Sequence, residues 1–432
     1  MQYFSTNRRS ASVSFRDAAI IGQPDDKGLY FPADIPAVSD EFLASLPHLP
    51  DEEIAFTVMR PFVAGSLPDD VLAAICGETV SFDFPLVALD ENISVLELFH
   101  GPTMAFKDVG ARFMSRCLEY FARDISKRPV VIVATSGDTG GAVANGFANT
   151  DGLDVVILFP KGLVSRVQEL QLTRCGKNVT SLEVEGNFDD CQRLAKTALA
   201  DTDLGSKLFL TSANSINVAR WLPQQIYYFL AVKQWKDAKP PVFSVPSGNF
   251  GNIAAAILAY RSGLPVRSFI AACNANDAFT RFILTGDFEA KPSVPTMSNA
   301  MDIGDPSNFV RILELFDGDA EKLRKMNASY SISDEETAEA IRSVHDKFGY
   351  TLDPHGAVAF AALTRHRELF PEDKGIFVET AHPVKFDSVE KILGMNIKGP
   401  ASLLDLQRLP KRSIEIDTNY KNVKDILLGL AS

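Results

Sequence analysis

The chain has 432 residues, 46% hydrophobic and 23% charged, proportions that suit a globular protein of two or three domains and exclude a disordered or fibrous one. Its 43 basic and 55 acidic side chains give a formal charge of −12 at pH 7, which argues against nucleic acid or an anionic membrane as a partner and requires any anionic ligand to be captured locally. Five scattered cysteines with no Cys-x-x-Cys pair read as reduced thiols, and no run reaches the roughly 18 apolar residues that span a bilayer, so the expected location is the cytoplasm.

In chain order, residues 1 to about 95 read as a small amino-terminal domain. Helical apolar spacing in Phe15–Ile21 and Asp51–Met59 is interrupted there by Pro24, Pro32, Pro36, Pro47 and Pro50. Next comes His100-Gly-Pro-Thr-Met-Ala-Phe-Lys-Asp-Val-Gly110, in which Lys107 stands among apolar neighbours. Partial burial lowers a lysine's proton affinity and frees its amine for Schiff-base chemistry. The plain alternative is a surface lysine with a buried stem.

From about residue 129 the texture changes to short β-branched runs, each followed by a glycine-rich turn and a helical pattern. Val130–Ala134, Val155–Phe159, Thr180–Val184, Phe209–Thr211, Val242–Val245 and Ile376–Val378 are the predicted strands. They are apolar on both faces, which predicts an α/β protein with open parallel sheets covered by helices. Helices are predicted over Ile253–Tyr260 and over Thr337–Phe348, the latter behind a Ser333-to-Glu336 capping box.

Three strands run into polar loops that open helices, where amide hydrogens are free to receive anions. Thr135-Ser-Gly-Asp-Thr-Gly-Gly141 suits a carboxylate or phosphate, and Ser247-Gly-Asn-Phe-Gly-Asn252 suits a phosphate dianion without a basic side chain. Thr211-Ser-Ala-Asn-Ser-Ile-Asn-Val-Ala-Arg220 sets Asn214, Ser215, Asn217 and Arg220 together, a set suited to a phosphate monoester. Each segment also reads as an ordinary turn or capped helix start. Thr380, in Glu379-Thr-Ala-His-Pro383 after the last strand, offers one hydroxyl at the sheet edge, and His382 reads as a packed histidine. Six histidines without ligand spacing give no support for a metal.

Taken together these segments resemble threonine synthase in its longer microbial and fungal form, a pyridoxal-phosphate enzyme of the tryptophan-synthase-β fold type. The resemblance runs through Val13–Phe15, Gly28–Pro32, Phe159–Gly162, Asn187–Gln192, Asp302–Phe309 and Asp353–His355. It implies two lobes: a cofactor domain of residues 96–114 and 231–432, and a substrate domain of residues 115–230. It also implies that Lys107 carries pyridoxal phosphate as a Schiff base and acts as the catalytic acid and base. Gly248, Asn249, Phe250, Gly251 and Asn252 would hold the cofactor phosphate, and Thr380 would meet the pyridine nitrogen. The substrate would be O-phospho-L-homoserine, with its carboxylate on Ser136, Gly137, Asp138 and Thr139 and its phosphate on Asn214, Ser215, Asn217 and Arg220. Relatives occur as monomers or homodimers.

The chain departs from the family's usual residues at Gln23–Tyr30, Gly356 and Val384, beside the expected contacts. The regulatory extension of the plant form is missing, so activation by S-adenosylmethionine is not expected. Serine/threonine dehydratase and cysteine synthase share the fold, the lysine and the amide loop; the segment from Asn214 to Arg220 decides against them, since neither binds a substrate phosphate there. A non-catalytic relative is disfavoured by the presence of Lys107 and every expected contact.

Overall fold

The computed structural model describes residues 1–430. Three strands, β1 (Gln2–Ser5), β2 (Val13–Ser14) and β3 (Tyr30–Pro32), make an antiparallel amino-terminal sheet in the order β2-β1-β3. The remaining strands follow as β4 (Leu86–Ala88), β5 (Ile93–Glu97), β6 (Pro129–Ala134), β7 (Asp154–Pro160), β8 (Val179–Val184) and β9 (Phe209–Ser212). After them come β10 (Val242–Pro246), β11 (Ser268–Cys273), β12 (Asn327–Ser331), β13 (Gly375–Glu379) and β14 (Ile414–Ile416).

They form two further sheets. One has the order β14-β8-β7-β6-β9 and is parallel throughout. The other runs β12-β11-β10-β13-β5-β4, parallel except for the edge strand β4. The predicted α/β class is what is observed, and the reason lies in the cores. Alternate residues of each parallel strand enter opposite cores, Val131 and Val133 one and Val130 and Ile132 another, so a strand covered by helices on both faces has no polar side to display. One continuous core joins the facing sides of the two large sheets to Tyr3, Phe15 and Phe62 of the amino-terminal segment.

The predicted helices form over Phe15–Ile21, Gly251–Arg261 and Asp334–Phe348, the last with the Ser333–Glu336 capping box. The Asp51 helix runs past its predicted end to Val63 and tolerates Pro61 in its final turn, where only one helical hydrogen bond is forfeited.

Two boundaries differ from expectation. Strand β5, which falls inside the expected amino-terminal domain, pairs with β13 in register from Ile93↔Gly375 to Glu97↔Glu379, so the large sheet recruits residues before 95. At the other end, β14 pairs with β8, and Ile416, Val423 and Leu427 bury against the five-stranded sheet. The carboxyl-terminal segment therefore packs on the five-stranded sheet, not with the rest of 231–432. In both cases, burying a short apolar element on the nearest open sheet outweighs its position along the chain.

Candidate active site

Four strand ends aim at one place. The carboxyl ends of β6, β9, β10 and β13 lead into the segments that hold Ser136, Asn214, Gly248 and Thr380, the position at which open parallel sheets present helix amino termini to ligands.

Lys107 opens the helix Lys107–Ala122 and is pinned to the Thr380 segment. Ala105 and Ala381 form an antiparallel bridge, the Phe106 amide donates to the Thr380 carbonyl at 2.8 Å, and the His382 amide donates to the Met104 carbonyl at 3.1 Å. The Tyr227 hydroxyl donates to the Phe106 carbonyl from the other side. Lys107 is thus held by backbone on both flanks. Burial first, then the Lys385 and Arg220 cations, lower the proton affinity of its amine, against Asp138 and Asp353, which raise it.

The loop after β10 leaves a run of backbone amides free. None of the five consecutive amides of Gly248, Asn249, Phe250, Gly251 and Asn252 finds an acceptor among the described residues. They converge at the start of the helix Gly251–Arg261, where the helix dipole adds partial positive charge. Phe250 takes a left-handed conformation, φ 62°, unusual for a residue with a side chain, and its ring is fixed edge-on to Phe279 at 5.1 Å. A Cβ at Gly248 would come within 2.5 Å of Met301 Cα, so only glycine allows this backbone to pass. A buried nest of unpaired amides fits the phosphate of pyridoxal phosphate, and Lys107 and Thr380 fit its aldehyde and ring ends.

In the loop after β6, Gly137 has φ 141°, and a Cβ there would meet Gln168 at 2.3 Å. The Thr135 hydroxyl accepts from the Gly137 and Gly140 amides at 3.0 and 2.9 Å. The amides of Ser136, Asp138 and Thr139 are left without an acceptor among the described residues. The side chain of Asp138 is not a donor to an incoming anion: its carboxylate takes the Lys385 ammonium at 2.6 Å and the Gln168 amide at 3.0 Å, and these contacts together with Lys107 hold it well below the usual carboxylate range despite burial.

The third cluster divides. Arg220 is 4% exposed, and its Nε and Nη1 have no partner among the described residues; burial, against Tyr227 and Asp108, pushes its proton affinity down to about 10. A guanidinium buried without a counter-ion is costly unless an anion arrives. The Ser215 hydroxyl accepts from Asn249 Nδ2 at 2.7 Å and Asn308 Nδ2 at 3.3 Å, so its own hydrogen is free to donate. Asn214 Oδ1 is buried and unpaired. Asn217 departs from expectation. It caps the helix Val218–Trp221 by accepting from the Ala219 amide at 2.9 Å, and its Nδ2 donates to the carbonyls of Ala19 and Ser212 at 2.8 and 3.3 Å. Both ends of its amide are spent on the fold, so it is a structural cap rather than a phosphate ligand.

Sequence reasoning missed several residues of this site. Arg311, fully buried, donates to the carbonyls of Ser215, Ile216 and Tyr30 and to Asn308 Oδ1, and it stacks over Trp221 at 4.5 Å. The signal was the Asp302–Phe309 motif, whose Asn308 lies three residues before it. Lys385 was passed over beside the altered Val384. Gly356 also has a specific reason: a Cβ there would overlap Glu379 Oε2 at 1.5 Å. Glu379 is buried against Asp353 and Glu97, and burial holds its carboxyl well above the usual range.

The sequence matches the family model described as pyridoxal-phosphate dependent enzyme over residues 85–380, and the fold is that of such an enzyme. Serine racemase from maize, 15% identical with a TM-score of 0.54 over 80% of this chain and 96% of its own, shares the fold alone. Residues 2–80 match the model for the threonine synthase N terminus and residues 356–427 that for the threonine synthase C-terminal region. Threonine synthases of Haemophilus influenzae and Escherichia coli are 39% and 38% identical over 99% of this chain and 100% of theirs. The crystal structure of the Escherichia coli enzyme superposes with a TM-score of 0.91 over the whole of both chains, at 38% identity. A pyridoxal-phosphate-bound threonine synthase from Brucella melitensis gives 0.92 at 35% identity, over 100% of this chain and 99% of that one. The chain belongs to the threonine synthase family.

Proposed function

We propose that the residues gathered around Lys107 carry out the threonine synthase reaction, in which O-phospho-L-homoserine and water give L-threonine and phosphate with pyridoxal phosphate as cofactor. The observation that carries this assignment is Arg220, a buried guanidinium whose Nε and Nη1 have no partner among the described residues, set near Lys107 in the segment whose Ser215 accepts from Asn249 of the amide nest. An enzyme of this fold acting on an unphosphorylated amino acid has no anion to place there.

When bound, the cofactor supplies an electron sink that acidifies the hydrogens at the substrate's α- and then β-carbon. Lys107 is the residue that would hold it, the amides of Gly248 to Asn252 its phosphate and the Thr380 hydroxyl its ring nitrogen. A hydroxyl donates one hydrogen bond and does not stabilise a protonated ring as a carboxylate would, which limits how strongly charge is drawn away from the reacting carbons.

The Lys107 amine, its proton affinity lowered by burial, removes and returns protons at the α- and β-carbons. The free amides of Ser136, Asp138 and Thr139 and the hydroxyls of Ser136 and Thr139 take the substrate carboxylate. Arg220, the Ser215 hydroxyl and Asn214 hold the substrate phosphate and stabilise the dianion as its bond to the γ-carbon breaks. This assigns the five-stranded sheet to a substrate lobe and the six-stranded sheet to a cofactor lobe, with Lys107 between them.

Purified protein supplied with pyridoxal phosphate and O-phospho-L-homoserine is expected to release phosphate and L-threonine in equal amounts. Phosphate accompanied by a 2-oxo acid and ammonia instead of threonine would overturn the hydration step; no phosphate at all would overturn the assignment.

A further inference from the structure

Lys385 is a second lysine in the site and is wholly buried. Its Nζ donates to Asp138 Oδ1 at 2.6 Å and to the Thr103 carbonyl at 2.9 Å. Gln168 donates to the same Asp138 oxygen at 3.0 Å, and Gln171 to the same Thr103 carbonyl at 2.9 Å. The pair therefore joins the turn Pro383–Lys385, the loop after β6, the helix Arg166–Thr173 and the segment leading to Lys107.

Such a pair is poorly explained as a source of stability, because desolvating two charges takes back most of what their attraction gives. Its position suggests a different use. Asp138 stands in the loop assigned to the substrate carboxylate, where a bare anion would repel the ligand, and Lys385 cancels that charge. The acidic and basic groups whose charges act on Lys107 include Asp138 on the helix Asp138–Gly146, Asp353 at the cap of the helix Pro354–Leu369, Lys385 on its turn and Arg220 on the helix Val218–Trp221.

We infer that Lys385 and Asp138 are positioning residues: their ion pair seats the loop after β6 against the segment leading to Lys107 and places two opposed charges beside the Lys107 amine. The inference rests on the assignment of Lys107 above. It makes a prediction that a purely structural pair does not, because the two partners act on the amine with opposite sign. Removing the cation leaves Asp138 unopposed and favours the ammonium; removing the anion leaves Lys385 unopposed and favours the free amine.

The test reads Lys107 itself. Cofactor-free protein is labelled with acetic anhydride across a pH series, and acetylation of the Lys107 peptide is quantified by mass spectrometry to give the amine's titration. Lys385→Met is expected to move the midpoint up by about one unit or more and Asp138→Asn to move it down by a similar amount, while Lys385→Arg stays within a few tenths of the parent. Circular dichroism checks that each variant is folded. If Lys385→Met does not fold, Asp138→Asn decides alone, and a midpoint that is unmoved or raised overturns the inference. Shifts of the same sign in both variants would also overturn it. Borohydride-reduced holoenzyme is mapped in parallel: a cofactor label on another lysine would sink the assignment of Lys107, whereas a label on Lys107 with unmoved titrations would sink only the role of the pair.

Discussion

Arg220→Met separates binding from stability, because the two should move in opposite directions. In the ligand-free protein the guanidinium is 4% exposed and lacks a counter-ion among the described residues, and burial pushes its proton affinity well below the ordinary arginine value, down to about 10. At neutral pH, below both values, the folded state carries the charged form at a cost of about 1.4 kcal/mol per unit, or roughly 3 kcal/mol. Methionine removes that cost and keeps much of the volume, with some loss of packing, so the ligand-free enzyme should gain about 1–3 kcal/mol. Catalysis should lose what the charge supplies to the substrate phosphate. Two charge-assisted hydrogen bonds at about 1.5–3 kcal/mol each imply a loss of about 3–6 kcal/mol in kcat/KM, or roughly 10²- to 10⁴-fold. Differential scanning calorimetry and phosphate-release kinetics, with cofactor absorbance as a control for site integrity, measure both sides. A variant with kcat/KM within about threefold of the parent, or one that melts earlier, would refute the account of Arg220 as an anion receptor held in readiness.

Three further substitutions follow from particular contacts. Asn217→Ala should destabilise the fold by about 2–3 kcal/mol, since it removes a helix cap and leaves the carbonyls of Ala19 and Ser212 without that donor; chemical denaturation measures it, and unchanged stability would return Asn217 to the phosphate site. Gly248→Ala, whose Cβ would meet Met301 Cα at 2.5 Å, should cost about 1–3 kcal/mol of cofactor affinity, about ten- to a hundredfold in Kd, read by absorbance titration of the apoenzyme. Gly356→Ala collides with Glu379 Oε2 and should lose about 1–3 kcal/mol of stability, whereas Gly356→Ala combined with Glu379→Ala should cost less than the two singles added; strict additivity would show that the collision is relieved elsewhere.

The parts of the fold that were legible are those in which local pattern and global environment agree. Strands β6, β7, β10 and β13 are apolar runs with β-branched residues, buried along their whole length, whereas β8 and β9 are buried only in their later residues; each leads into a turn or loop. Strands β11 and β12 were not found, because Ser268-Phe-Ile-Ala-Ala-Cys273 and Asn327-Ala-Ser-Tyr-Ser331 lack the β-branched signature and become strands through pairing with β10 and with each other. The placement of β14 and β5 depends on which sheet edge is open, which no local window contains.

The same contrast holds at the site. The loops were visible because glycine and hydroxyl residues at strand ends have few other uses. Asn217 reads identically as a cap or a ligand until the Ala19 carbonyl is seen opposite it. Lys385 resembles a solvated lysine in sequence, and only the chain reversal after β13 carries it into the interior against Asp138.

The most direct test of the whole account is Lys107→Ala, purified in folded form and assayed with pyridoxal phosphate and O-phospho-L-homoserine. Release of L-threonine and phosphate should fall to background while the protein still binds the cofactor reversibly at the Gly248–Asn252 amides. Retained threonine formation would contradict it.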